Sequence, residues 1–371
     1  MKLKRLGQAA VVLSVAALGL TACGGSNNPS SSASGSTGSD AAAAISGTLS
    51  GSGATSQEAA IAAWQSGISS AQPNLNIQYN PVGSGAGRKA FLAGQVAFAG
   101  SDAAMGSDEQ EEAKKQCGDG GALDIPAYVS PVAVAFNLKG VDKVQLDATT
   151  IAKIFAGKIT TWNDPAIADQ NKDANLPATK ITVVHRSDSS GTTENFTDYL
   201  SANAKDVWTD GAVQDWPKDL AGESAQGTSG VVKLVGSTEG AIAYADLSAA
   251  KDLGKVSVKV GDSYQEPNEE AAAKNVELAK RAGGDNENDM ALKLDRTSTE
   301  AGNYPIVLVS YHVYCSTYKD QQTVDMVKAW GEYVVSEEGQ KAAEAAAGSA
   351  PLSSATAADA KKAIESISLA K

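Results

Sequence analysis

The sequence predicts an α/β protein built as two domains. Short apolar strands alternate with helical stretches from residue 45 onward, the pattern of parallel α/β sheets. At 371 residues the chain is too long for one small core. Turns rich in glycine and serine recur between a strand and the helix after it, where open α/β sheets hold their ligands.

Strands are expected at 47–50, 75–79, 96–99, 128–136, 181–184, 241–244 and 305–313. Helices are expected at 55–70, 87–94, 148–155, 192–202, 229–236, 268–281, 321–336 and 338–347. The first strand, Gly47-Thr48-Leu49-Ser50, runs through Gly51-Ser52-Gly53-Ala54-Thr55-Ser56 into a helix that buries Ala60, Ile61 and Trp64. Thr55 or Ser56 can cap that helix. The second, Ile77-Gln78-Tyr79-Asn80-Pro81-Val82, meets the tight turn Gly83-Ser84-Gly85-Ala86-Gly87 before a helix carrying Phe91 and Leu92. The third, Val96-Ala97-Phe98-Ala99, ends in Gly100-Ser101-Asp102. The β-branched run Ile181-Thr182-Val183-Val184 precedes His185-Arg186-Ser187-Asp188-Ser189-Ser190-Gly191-Thr192, after which Phe196, Tyr199 and Leu200 share a helical face. The tail, with Ala342 to Ala347, Pro351 and Leu352, reads as helices packing on the first domain.

The turn at 185–192 carries chemistry. Free N–H groups at a helix start point outward and bear partial positive charge. Ser190, Gly191 and Thr192 add two hydroxyls and an open backbone there, and Arg186 adds a planar donor fork that Asp188 can orient. Alone, this segment fits a serine-rich cap with a surface Arg–Asp pair equally well. Three such turns, with one Arg and one Asp at strand ends, point instead to an oxyanion held by helix N-termini.

The chain resembles the Pst-type phosphate-binding protein of the high-affinity phosphate ABC transporter. The matching stretches are Gly51 to Thr55, Gly83-Ser84-Gly85 with its helix, Phe98 to Asp102, and Arg186 to Thr192. Leu146-Asp147-Ala148, Ile154 through Pro165, and Gly240-Ala241-Ile242-Ala243-Tyr244 match as well. The likeness runs from about residue 46 to the end, in the family's order. Two departures are Ser56, where an aromatic is frequent, and Gly85, where a second serine is common; both positions are expected to act through the backbone. The resemblance implies a periplasmic-binding-protein-like type II fold, two α/β domains joined by two hinge strands around a ligand cleft. Domain I would comprise 46–131 plus 304–371 and domain II 132–303, with 128–136 and 304–309 as the crossings. It implies phosphate as ligand, permease subunits of an ABC transporter as partner, and a monomer without cofactor or metal. It also implies roles: Thr55 and Ser84 donate by hydroxyl and Ser56 by backbone N–H. Arg186 gives charge-assisted bonds, while Ser190, Gly191 and Thr192 add donors. Asp102 is the acceptor, and Asp188 holds Arg186 in place.

The front end reads as a targeting segment. Lys2, Lys4 and Arg5 precede an uncharged apolar stretch at 6–20, and Leu20-Thr21-Ala22-Cys23 has the pattern of a lipoprotein cleavage site. Residues 1–22 are therefore expected to be a signal peptide, with Cys23 lipidated and the domain held at the outer face of the cytoplasmic membrane. Residues 23–45, nearly all small and polar after the cysteine, form a tether reaching on the order of 25 Å. The net charge of −12 becomes more negative still once the leader's cations are gone. Nucleic acid is excluded as a partner on that ground. Cys117 and Cys315 remain, and in an exported protein two thiols most often pair; two separate buried thiols are the alternative. With only two histidines, His185 and His312, and no ligand spacing, a zinc site is not expected.

Besides a purely sensory or adhesive surface lipoprotein, which would need no bound ligand, two rival classes stay open. A hydrolase reading draws on Ser, His and Asp at 185–192, but no G-x-S-x-G elbow appears, and His185 neighbours Arg186 on a strand and so faces the other way. A carrier of another tetrahedral oxyanion, such as sulfate or molybdate, is the second. Sulfate has no proton to give, so the Asp102 carboxylate would repel it.

Overall fold

The computed structural model describes residues 45–371, so the leader, Cys23 and the tether up to residue 44 lie outside the described residues. In chain order, β1 (Gly47–Gly53), a 3-10 turn (Thr55–Gln57), α1 (Glu58–Ala71), β2 (Leu75–Pro81), α2 (Ser84–Leu92), β3 (Phe98–Ser101) and α3 (Ser107–Cys117) come first. The fifteen-residue β4 (Ala122–Phe136) leads to β5 (Lys143–Leu146), α4 (Ala148–Phe155), α5 (Pro165–Ala168), β6 (Thr182–Arg186) and α6 (Gly191–Asn203). Next are β7 (Glu223–Ala225), α7 (Gly227–Ser237), β8 (Ala241–Asp246), β9 (Gly254–Val260), β10 (Ser263–Gln265) and α8 (Glu269–Glu277). The chain ends with β11 (Lys280–Arg281), β12 (Leu292–Lys293), β13 (Val307–Cys315), β14 (Thr317–Tyr318), α9 (Gln321–Val335), α10 (Glu337–Ala347), α11 (Ser354–Glu365) and β15 (Ser368–Leu369).

One sheet path, β2-β1-β3-β13-β4-β8-β6-β7, runs through the molecule. Its ends are parallel, as the alternation of strand and helix requires, but its middle is not. β13 lies antiparallel to both β3 and β4, and β4 antiparallel to β8. The expectation of parallel sheets thus holds at the two wings and fails at the centre. The cause is the long β4, which pairs with β13 as far as Pro131 and with β8 from Val132 onward. Proline has no N–H to give to a ladder, so a change of partner at Pro131 costs little. Opposite Pro126 the ladder carries a bulge: Tyr311 faces Pro126 and Ser310 faces Tyr128, leaving Ala127 as the extra residue.

Two aromatic clusters fill the wings. Trp64, Phe98, His312 and Trp330 meet under β1, β3 and β13. Phe155, Phe196, Tyr244 and Trp216 meet beside β6 and β8. Cys117, closing α3, is bonded to Cys315, closing β13, with S–S 2.02 Å; the pairing expected of the two cysteines is present.

α3, α11, β5 and β9 are not among the expected elements. α3 buries only Ala113 and Cys117, so its sequence shows no apolar stripe. In β9, Val256, Val258 and Val260 do alternate, a strand signal the expectations left out. The segment from α8 to β12 lies back over the first wing: Ala272 belongs to one apolar cluster with Val129, Val307, Val309 and Tyr311, against which Val276, Leu292 and Leu294 pack.

His312 has a consequence for stability. Its ring stacks on Trp330 at 5.8 Å, and burial pushes its pKa from the ordinary 6.5 down to about 3. Between those values the unfolded chain holds a proton that the folded chain refuses, so stability falls as pH drops through the window. His312→Phe keeps the stacking surface and removes the proton. Its loss of stability between about pH 7 and about pH 4 should be smaller than the parent's by on the order of 3 kcal/mol. Urea denaturation at the two pH values measures this, and an unchanged difference would refute it.

Candidate ligand-binding site

Four helix N-termini converge where the two wings meet: the 3-10 turn at Thr55, α2 at Ser84, α6 at Gly191 and α7 at Gly227. Close backbone approach makes this possible. A Cβ on Gly87 would lie 2.4 Å from the Gly53 Cα, so α2 rests directly on the end of β1. A Cβ on Gly191 would lie 2.9 Å from both the Ala103 nitrogen and the Ser84 Oγ, so α6 abuts the loop after β3. Glycine is required at both points by contact, whatever the φ angle.

Asp102 sits at the centre, 2% exposed, at the end of β3. Its carboxylate accepts three hydroxyls. Ser56 Oγ donates at 2.8 and 2.7 Å to the two oxygens, Thr192 Oγ1 at 3.0 Å to Oδ2, and Ser310 Oγ at 2.7 Å to Oδ1. The Asp102 backbone joins the set: its N–H donates to Ser84 Oγ at 3.2 Å, and its carbonyl accepts from Asn195 Nδ2 at 2.6 Å.

Arg186, at the end of β6 and 4% exposed, is held by Asp188. Nε donates to Oδ1 at 2.8 Å and Nη2 to Oδ2, a two-pronged pair that leaves Nη1 free of Asp188. Asp188 also accepts the Gly227 N–H at 2.9 Å, which ties α7 to the arginine. Burial works against the Asp188 charge, but the Arg186 hydrogen bonds and charge outweigh it and hold the carboxyl below its ordinary range.

Neither Thr55 nor Ser56 caps α1, which corrects the expectation above. The N-cap is Gln57, with no side-chain cap bond, because tertiary partners take both hydroxyls. That of Ser56 goes to Asp102, so Ser56 enters the site by its side chain. Thr55 Oγ1 lies 3.0 Å from Thr228 Oγ1 and accepts the Thr228 N–H at 3.1 Å. Ser190 does cap α6, accepting from the Thr193 N–H at 3.3 Å. His185 is elsewhere, its ring stacked on Trp216 at 5.0 Å.

The structure therefore brings Thr55, Ser56, Ser84, Asp102, Arg186, Asp188, Ser190, Gly191 and Thr192 to one place, and adds Thr228, Asn195 and Ser310. Gly227-Thr228-Ser229-Gly230, which opens α7, has the same composition as the three turns above, a signal the expectations left out. Ser310, a lone hydroxyl in an apolar strand, carried a fainter signal. Asn195 had none. Chemically the site is a ring of N–H and O–H donors and one arginine facing one carboxylate. Among the described residues no cluster of three or more His, Cys, Asp or Glu is placed to hold a metal.

A family model described as "PBP superfamily domain" matches residues 38–338. The phosphate-binding protein PstS2 of Mycobacterium bovis is 36% identical over 340 residues, covering 89% of this chain and 90% of that protein. The chain belongs to the PstS family of phosphate-binding proteins. PstS3 of Mycobacterium leprae is likewise 36% identical over 340 residues, again covering 89% of this chain and 90% of that protein. The PstS protein of Xylella fastidiosa is 32% identical, covering 76% of each chain. Among solved structures, a high-affinity periplasmic phosphate-binding protein, PfluDING, aligns with TM-score 0.70 at 24% identity, over 85% of this chain and 93% of that one. A phosphate-binding protein from Stenotrophomonas maltophilia aligns with TM-score 0.64 at 23% identity, with coverages of 85% and 94%. These structural likenesses establish the fold, the two-domain α/β architecture of periplasmic-type binding proteins. In this PstS-family chain the donors described above lie where its two wings meet.

Proposed function

We propose that this protein binds inorganic phosphate outside the cytoplasm and delivers it to an ABC importer. It does so as a binding protein with no catalytic step. The observation that carries the reading is the pairing of a donor-rich ring and Arg186 with a single buried acceptor, Asp102. Phosphate near neutral pH has oxygens for the donors and a proton for the carboxylate, and it matches both. Thr55, Ser84, Arg186, Ser190, Gly191 and Thr192, with the Ser56 N–H, would donate. Asp102 would accept, and Asp188 would orient Arg186.

The lobes we assign are 46–131 with 304–371, and 132–303. Thr55–Thr228, Asp102–Thr192 and Asp102–Asn195 cross between them, so they are contacts of a closed cleft and would part on opening. Calorimetry on phosphate-stripped protein should give tight binding of phosphate and none of sulfate. Small-angle scattering of the same samples should give a smaller radius of gyration with phosphate present. Heat with sulfate equal to that with phosphate, or no heat with either, would overturn the reading.

Cys23 is proposed as the lipid-bearing residue, which would keep the domain within reach of the permease subunits. No helix among the described residues is long and apolar enough to cross a membrane. Intact-mass measurement of the membrane fraction should find a chain that begins at Cys23 with added lipid. An unmodified N-terminus at another residue would sink the assignment.

A further inference from the structure

Three hydroxyls reach Asp102, and they are not equivalent. Ser56 and Thr192 stand at helix N-termini of the ligand ring and can turn their protons toward a bound anion. Ser310 cannot. It comes from the central strand β13, beside the bulge, and is fully buried. Behind it the Gln57 amide, also fully buried, donates to Ser310 Oγ at 2.7 Å and to the Tyr311 carbonyl at 3.0 Å. Both Gln57 N–H groups are thereby spent, and because the Tyr311 carbonyl can only accept, the amide has one orientation. With a proton arriving at its oxygen from Gln57, Ser310 sends its own proton to Asp102 Oδ1.

We propose that Ser310, backed by Gln57, is the positioning residue that makes Asp102 a one-sided acceptor and so determines selectivity for a protonated oxyanion. The proposal rests on the reading that this cleft takes phosphate. Oδ1 is filled from inside the fold. Oδ2 accepts Ser56 at 2.7 Å and Thr192 at 3.0 Å, both from helix starts of the ring, and once these turn toward the anion it is the oxygen left for a ligand O–H. A carboxylate pinned in this way accepts from phosphate in one geometry and offers sulfate only lone pairs. Without Ser310 the carboxylate is free to rotate, and the acceptor that tells the two anions apart is blurred.

A double-mutant cycle on the whole protein tests this, with phosphate and sulfate titrated by calorimetry into the parent, Ser310→Ala, Asp102→Asn and the double variant. Ser310→Ala should lose about 10- to 100-fold in phosphate affinity, the range for a hydrogen bond to a charged group. In the Asp102→Asn background the same change should cost less than about 3-fold, because its route to the ligand is already cut. A residue that merely packs would cost the same in both backgrounds, and that result overturns the proposal, as does unchanged phosphate affinity in Ser310→Ala. If Ser310→Ala does not fold by thermal denaturation, Ser310→Cys, a weak donor of similar size, runs the same cycle with the same criteria. Failure of the parent to bind phosphate is a separate outcome, which removes the underlying reading and this proposal with it.

Discussion

Arg186→Ala should lower phosphate affinity by about a thousandfold or more, the largest effect expected of any single change in this chain. Charge-assisted hydrogen bonds contribute about 1.5–3 kcal/mol each, and a planar fork can make two to one anion. A second cost comes from Asp188. Its carboxylate is two-pronged to Arg186 and nearly buried, and removing the cation leaves that charge facing the cleft. Breaking a buried pair from one side costs about 3–5 kcal/mol, part of which would appear as repulsion of the incoming anion. Removing Asp188 in the same chain, as Arg186→Ala with Asp188→Asn, should therefore recover part of the loss. Calorimetry on the two variants measures both terms. Affinity unchanged in Arg186→Ala would mean that the anion binds elsewhere.

Asp102→Asn should convert a selective site into a permissive one. The substitution keeps the shape, removes the charge and puts an N–H₂ where one oxygen stood. Ser56, Thr192 and Ser310 now share two carboxylate oxygens, and with one oxygen gone at least one of these hydroxyls must turn away. Thr192, at the start of α6, is placed to turn toward the ligand. Phosphate binding should weaken by about 10- to 100-fold, since a hydrogen bond to a charged acceptor is lost. Sulfate, no longer facing unprotonated lone pairs in a poorly screened cleft, should bind within about tenfold of phosphate. Competition calorimetry with both anions decides the matter. Continued rejection of sulfate by Asp102→Asn would move selectivity to another residue.

What was legible in the sequence was local. β1, β2, β6 and β8 announce themselves by short apolar runs, and the turns at 83–87 and 185–192 by glycine and serine before a helical face. Those signals depend on neighbours a few residues apart, and the Arg186–Asp188 pair lies within such a stretch. α3 was missed because a helix that buries two residues has almost no stripe to read. The capping expected of Thr55 and Ser56 failed because residues 173 and 46 positions away claimed their hydroxyls.

The sequence by itself determined that this is an α/β chain with strand-to-helix turns suited to an anion, together with the arginine and carboxylate to serve it. Only the tertiary structure decided which hydroxyls face Asp102, that α7 supplies a fourth N-terminus, and that the sheet turns antiparallel at its centre. The physical reason is range. Propensity, periodicity and capping act over a turn or a strand, whereas the Ser310–Asp102 contact spans 208 positions and exists only because β3 and β13 pair.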